Sequence, residues 1–150
     1  MAFRIKILNA ENSLDLQLLN TFITSAGSSL KSFRYFNSRP FSVIKNHLHT
    51  ILVLNEGIPV AYGHLDREKE ITWLGIAVTE METGKGLGKL VMDNLLSEAM
   101  QKNYTDIYLS VDKSNSDAIA LYTKYEFKIE EVLSHGVYLM KYNIKNIEEK

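Results

Sequence analysis

The chain has no cysteine among its 150 residues, which excludes a disulfide framework, a thiolate metal site and a cysteine nucleophile and fits a reducing cytoplasm. It also has no apolar run of membrane-span length. The opening Met1-Ala2-Phe3-Arg4-Ile5-Lys6 places charge where a secretory signal needs an apolar core, so a soluble, cytoplasmic protein without membrane attachment is expected. An excess of one charge sign is missing as well. With 17 basic and 18 acidic residues the net charge is −1, so nucleic acid is not an expected partner and any phosphate recognition must be local. No repeat, low-complexity tract or linker interrupts the sequence, and the length suits one domain spanning residues 1–150 with its own core.

What is present is a patterned succession of short elements. Arg4 to Leu8 alternates as an opening strand, and Asn12 or Ser13 then starts a helix carrying Leu14, Leu18, Leu19, Phe22 and Ile23 on one face. Thr24 to Arg39 shows no clear period, and Pro40 suits the first turn of a second helix ending near Asn46. Strands at Thr50–Leu54 and Pro59–Leu65 are joined through Asn55-Glu56-Gly57, and a charged turn from Arg67 to Glu70 leads into a strand at Ile71–Val78. A helix from about Gly86 to Lys102, a strand at Asp106–Val111, a helix at Ser114–Tyr125 and strands near Phe127–Leu133 and Gly136–Tyr142 follow, before a polar tail from Asn143 expected to fray. This order predicts an α/β (α+β) domain with a mixed sheet in which the strands at Ile71 and Asp106 lie parallel.

The most informative stretch is Val78 to Lys89, where a buried strand turns into a helix through Gly84, Gly86 and Gly88. Free amides at such a helix start sit at the positive end of the dipole and favour phosphate oxygens. A nucleoside-triphosphate P-loop does not fit, because Thr79 stands where its first glycine belongs and Gly86 follows Lys85. The dinucleotide fingerprint fails too, since Lys89 occupies the place of its third glycine. A plain structural turn is the remaining alternative.

Thr83-Gly84-Lys85-Gly86-Leu87-Gly88 resembles the acetyl-CoA pyrophosphate motif of the GNAT superfamily of N-acetyltransferases, Gln/Arg-x-x-Gly-x-Gly/Ala, with Thr83 in place of the Gln or Arg. Further on, Leu109-x-Val111, Asn115, Ala118, Leu121-Tyr122 and Phe127 resemble the superfamily's second signature, Asn-x-x-Ala-x-x-Leu-Tyr-x-x-x-Gly-Phe, with Glu126 replacing the glycine. The two motifs stand in family order and the element order agrees over nearly the whole chain. The resemblance implies a mostly antiparallel sheet with two central parallel strands and about four flanking helices. It also implies acetyl-CoA as co-substrate, held by the backbone of Ile76, Ala77 and Val78, by the loop from Thr83 through Lys85 to Lys89, and by Asn115, Ala118 and Tyr122.

By the same resemblance, Tyr122 is the acid that protonates the departing thiolate, and a phenol stays protonated at neutral pH. Asn115 and Tyr122, seven residues apart, project to nearly the same side of one helix, and a Ser114/Asp117 capping box would make Asn115 its first helical residue. A base must take the amine's proton. His64, expected opposite Trp73 across a hairpin, is one candidate; Glu80 reads more readily as a solvated turn residue, and His47 and His49 as helix-end groups. The acceptor pocket falls to about Thr24–His49, where Arg34, Tyr35 and Arg39 combine cations with aromatic rings, and Trp73 joins from the sheet. An acidic small molecule or nucleotide-linked amino sugar suits that pocket better than a peptide or polyamine, since no acidic cluster is visible there to meet a cation. No metal is expected, because the histidines have neither cysteine partners nor His-x-x-x-His spacing. Exposed terminal strands could pair two copies as a homodimer. The rival reading is a non-catalytic module of the same fold that senses acyl-CoA or a protein partner.

Overall fold

A computed structural model describes residues 3–27, 33, 35–79, 84, 86–133 and 136–144. Seven strands, β1 (Phe3–Ile7), β2 (His49–Asn55), β3 (Ile58–Glu68), β4 (Ile71–Val78), β5 (Asp106–Asp112), β6 (Lys128–Leu133) and β7 (Val137–Asn143), form one mixed sheet in the order β1-β2-β3-β4-β5-β7-β6. All pairings are antiparallel except β4 with β5, which is parallel as expected. Three α-helices are described, α1 (Ser13–Ser25), α2 (Leu87–Gln101) and α3 (Ser116–Lys124), with short 3-10 helices at Tyr35–Asn37 and Phe41–Asn46.

Two apolar clusters sandwich the sheet. On one face Leu19 and Phe22 of α1 pack with Ile44, Leu52, Tyr62 and Ala77; on the other Val91 and Leu95 of α2 and Tyr122 of α3 pack with Ile51, Val53 and Leu65. Strand alternation decides which side chain goes where, so Tyr62, His64 and Asp66 share the α1 face of β3 while Gly63 faces α2. A Cβ at Gly63 would run into Val91 and lie 3.1 Å from Leu95 Cδ1, so glycine is what lets α2 settle on the sheet.

Several boundaries differ from the sequence reading, each for a local reason. The buried stripe of α1 is Asp15, Leu19, Phe22, and Leu14 instead faces solvent, because the Asn12 side chain caps the amides of Leu14 and Asp15 and sets the helix phase. Buried Asp15 is balanced by Lys6 at 3.3 Å and by the Asn9 amide at 2.8 Å. Pro40 is the N-cap of a 3-10 helix rather than part of an α-helical first turn. Arg67 and Glu68 remain in β3, and the reversal is the two-residue Lys69-Glu70, both at positive φ (50° and 68°), matching the Glu56-Gly57 hairpin (52° and 84°). At the C-terminal end Asn143 belongs to β7 and Ile144 is buried, its amide bonded to the Thr105 carbonyl at 2.9 Å, so fraying does not begin at Asn143; residues 145–150 lie outside the described residues.

Candidate active site

The parallel pair is joined only at Thr72–Ile107 and Trp73–Tyr108; beyond these residues β4 continues with β3 and β5 with β7. The two strands therefore part toward their C-terminal ends. A cleft of about 570 Å³ occupies the gap. Ile76, Ala77 and Val78 line it from β4, Gly84 and Gly86 through Lys89 from the loop and the start of α2, and Asn115, Ala118 and Tyr122 from α3. Every described residue that the sequence assigned to acetyl-CoA meets in this one space. Thr83 and Lys85 lie outside the described residues.

The helix start has the character expected of an anion site. Gly86 is the N-cap of α2 in the left-handed region (φ 79°), with no side chain to cap the first amides, and the first turn holds no acidic residue but does hold Lys89. Gly84 is likewise left-handed at φ 85°. A Cβ at either glycine would meet nothing within 4 Å, so backbone conformation, not crowding within the protein, calls for glycine there. Gly88 differs: its Cβ would lie 2.9 Å from Leu121 Cδ2, which makes it a seat for packing between α2 and α3.

The second motif has a physical explanation. Asn115 is the N-cap of α3, not its first helical residue, because its Oδ1 accepts from the Ala118 amide at 3.2 Å; this corrects the Ser114/Asp117 capping box. Seven residues on, the helix ends in a Schellman arrangement, with the Phe127 amide bonded to the Tyr122 carbonyl at 3.0 Å and the Glu126 amide to the Thr123 carbonyl at 2.9 Å. The Tyr122 and Phe127 rings pack at 6.0 Å, the apolar contact that accompanies such an ending. Tyr122 is thus fixed by both backbone and ring. Burial pushes its phenol up to about 12, and its hydroxyl makes no hydrogen bond among the described residues although the side chain borders the cleft.

A second cleft of about 350 Å³ lies beside the first. Its floor is Leu74 and Gly75 of β4 and Ser110 of β5, the positions next to the last strand pair, and Phe33 borders both clefts. Tyr35 and Trp73, expected to hold the acceptor, line it together with Arg39, His64, Asp66 and Glu68; Arg34 lies outside the described residues, as does Glu80. His64 stands opposite Gly75, and Asp66 opposite Trp73, which corrects the expected His64–Trp73 pairing by two residues because β3 runs on to Glu68. Gly75 is needed here, since a Cβ would lie 2.6 Å from His64 Cε1. The expectation that no acid awaits a cation also fails: Asp66 and Glu68 both face the cleft.

Hydrogen bonds fix the ring orientations. Tyr62 is fully buried and its hydroxyl has His64 Nδ1, at 2.6 Å, as its partner. With the buried phenol donating its proton, which has no other acceptor among the described residues, Nδ1 accepts and neutral His64 carries its N–H at Nε2, a donor toward the cleft. Burial, with His47 and Arg39 nearby, holds His64 well below its ordinary value and hence neutral. His47 caps the 3-10 helix, as its helix-end reading implied, and also bonds Tyr35 Oη at 2.7 Å and Thr50 Oγ1 at 2.7 Å, while His49 opens β2 and bonds Asn94 at 2.9 Å. Asp66 and Glu68 escaped the sequence reading, and His47, read there as a helix-end group, gains its further bonds only in the fold. The signal for the two acids was their alternation with His64 on one strand face; for the bonds of His47 the sequence has no periodic signal, since its partners Tyr35 and Thr50, 12 and 3 residues away, lie in other elements.

Comparison with known proteins agrees with this geometry. Residues 16–127 match the acetyltransferase (GNAT) family. No curated protein matches the sequence. Among solved structures, the chain resembles the PaiA N-acetyltransferase of Thermoplasma acidophilum in complex with coenzyme A (18% identity, 95% of this chain and 99% of that one, TM-score 0.74). It also resembles the ribosomal-protein-S18-alanine N-acetyltransferase of Escherichia coli (21%, 95% and 94%, 0.69) and Salmonella typhimurium yncA with its cofactor acetyl-CoA (13%, 96% and 95%, 0.72). At these identities the structural likeness is one of fold.

Proposed function

Because this chain belongs to the acetyltransferase (GNAT) family, we propose that it is a one-domain N-acetyltransferase that moves the acetyl group of acetyl-CoA to a primary amine of a small molecule, by direct transfer in a ternary complex. The observation that carries this reading is the parting of β4 and β5 around a cleft bordered at one end by the uncapped start of α2 and walled by Tyr122. Acetyl-CoA would supply an acetyl thioester with a thiol leaving group. The residues present fit it: the first-turn amides of α2 and Lys89 suit the pyrophosphate, the open space at Gly84 and Gly86 admits it, and the parted edge of β4 offers main chain to the pantetheine arm.

Tyr122 then gives its phenolic proton to the departing sulfur. A phenol near 12 is fully protonated at neutral pH and remains a donor throughout. His64, neutral with Nε2–H toward the second cleft, suits a hydrogen bond to a carbonyl oxygen in the reaction better than the role of base. The amine enters through the second cleft, over Gly75 and between Tyr35 and Trp73. The outer strands β1 and β6 leave edges through which two copies could pair.

The test combines calorimetric titration of acetyl-CoA with a thiol assay for CoA release across a panel of amines. Tyr122→Phe should lower kcat by about tenfold or more with acetyl-CoA affinity nearly unchanged, since it removes a proton donor rather than a contact. Equal turnover in the variant would remove Tyr122 from this role. Binding of acetyl-CoA by the native protein with no release on any amine would favour the acyl-CoA-sensing alternative.

A further inference from the structure

We propose that Asp66 binds the ammonium of the acceptor and takes its proton, held in position by a directed chain from Thr50 through His47 and Tyr35, so that the preferred acceptor is a cationic amine without an acidic group. The inference rests on the acetyl-transfer reading above.

The chain of hydrogen bonds has one consistent direction. An ionised carboxylate only accepts, so the Tyr35 hydroxyl donates to Asp66 Oδ2 at 3.0 Å. The Tyr35 oxygen is then free to accept from His47 Nε2–H, and His47 Nδ1 in turn accepts from the Thr50 hydroxyl. This requires a neutral His47. Burial first, and Arg39 next, bring His47 down to about 4 against the pull of Asp66, so it is neutral at physiological pH. Every polar group in the chain is satisfied, and the chain ends on Asp66.

Asp66 itself is 9% exposed, lines the second cleft, and makes no hydrogen bond beyond that to Tyr35 among the described residues. Among the described residues the second oxygen of this nearly buried carboxylate has no donor, and a charged N–H donor would satisfy it. The surroundings favour a cation. On its own strand Glu68 adds a second negative charge and His64 is neutral; from the facing segments come neutral Tyr35 and His47 and the guanidinium of Arg39, which stacks 4.2 Å from the Tyr35 ring and donates to the Tyr35 carbonyl. Among the described residues, two carboxylates therefore face one guanidinium that already has a ring and a carbonyl to hold it. Position agrees as well, because Gly75 and Ser110 under this cleft adjoin Ile76 and Val111 in the cofactor cleft.

The step balances. An ammonium N–H bond breaks onto the free Asp66 oxygen, the released lone pair forms the C–N bond to the acetyl carbon, the C–S bond breaks, and the sulfur takes the Tyr122 proton. Counted over the cycle, the second amine proton makes good that of Tyr122, and the proton on Asp66 leaves to solvent.

The experiment measures CoA release with acetyl-CoA and putrescine, phenylethylamine or glucosamine, against aspartate and glucosamine phosphate. The native protein should favour an amine of the first group by about tenfold or more in kcat/KM. Asp66→Asn should lower that kcat/KM about a hundredfold while acetyl-CoA affinity by titration stays within about threefold. Tyr35→Phe keeps the packed ring but loses the donor that orients Asp66, so kcat should fall about tenfold with little change in the amine KM, a split that a merely structural loss would not give. A folded Asp66→Asn protein with undiminished rate, a tenfold preference for the acidic amines, or a Tyr35→Phe enzyme with unchanged kcat would overturn the inference. These outcomes leave the acetyl-transfer reading standing; bound acetyl-CoA with no release on any amine would instead overturn that reading and this inference with it.

Discussion

At the scale of single residues, what spacing encodes is local hydrogen bonding. The interval from Asn115 to Ala118 is that of an N-cap reaching the third amide, and the interval from Tyr122 to Phe127 is that of a Schellman ending, so a sequence pattern associated with a ligand is first a pattern that closes a nine-residue helix at both ends. Glu126 is the informative departure. It occupies the left-handed position after the helix at φ 71°, where the family motif has glycine and where a side chain is strained. Glu126→Gly should therefore stabilise the protein by about 0.5–1 kcal/mol in urea unfolding, with the backbone entropy of the new glycine opposing part of the gain. A loss of stability would mean that the Glu126 side chain has a compensating partner. Asp66, which the sequence did not single out, and His47, read there only as a helix-end group, owe their hydrogen bonds to partners brought together by folding.

At the scale of elements, the regular strands and helices were legible because their apolar periods are strong, and the segment between α1 and β2 was not. Its packed groups are half-buried, aromatic and irregular: Phe33 and Phe36 pack on Tyr62, and Tyr35 on His64, with no repeat along the chain. β3 was drawn too short for a different reason. Asp66, Arg67 and Glu68 look like a turn, but Asp66 is turned into the sheet's functional face and the other two are carried to its end by pairing with β4. Element packing also makes a prediction away from the site. Gly63→Ala puts a methyl group against Val91 and Leu95, and overpacking of this kind costs about 1–3 kcal/mol, or a few degrees in Tm for a chain of this size. Combining it with Val91→Ala should recover part of the loss, since the methyl then fills the space vacated by the valine. An additive double variant would show that the strain lies in the backbone instead.

At the scale of the whole molecule, the sheet parts between β4 and β5, with α2 and α3 framing the first cleft and the 3-10 segment framing the second. The first cleft could be read in sequence because its residues sit in two contiguous motifs, whereas the second is assembled from β3, β4, β5 and an irregular segment. That assembly buries His64 and half-buries His47, both neutral, and stability must register it. His47 falls from 6.5 to about 4, chiefly through burial, and His64 is lowered in the same direction and for the same first reason. Above about pH 7 both native and unfolded states hold these rings neutral, so neither contributes a slope. As pH falls below 6.5 the unfolded chain takes up protons that the native protein refuses, and stability must decline until His47 itself protonates near 4. Unfolding by urea should thus give a free energy that is level from about pH 8 to about pH 7 and decreases toward about pH 5. His47→Gln, which can keep a hydrogen bond to Tyr35 but cannot titrate, should flatten part of that decline. If the slope is the same in the variant, His47 takes up its proton in the native state as it does in the unfolded chain, and its Nδ1 would then donate to Thr50 instead of accepting from it.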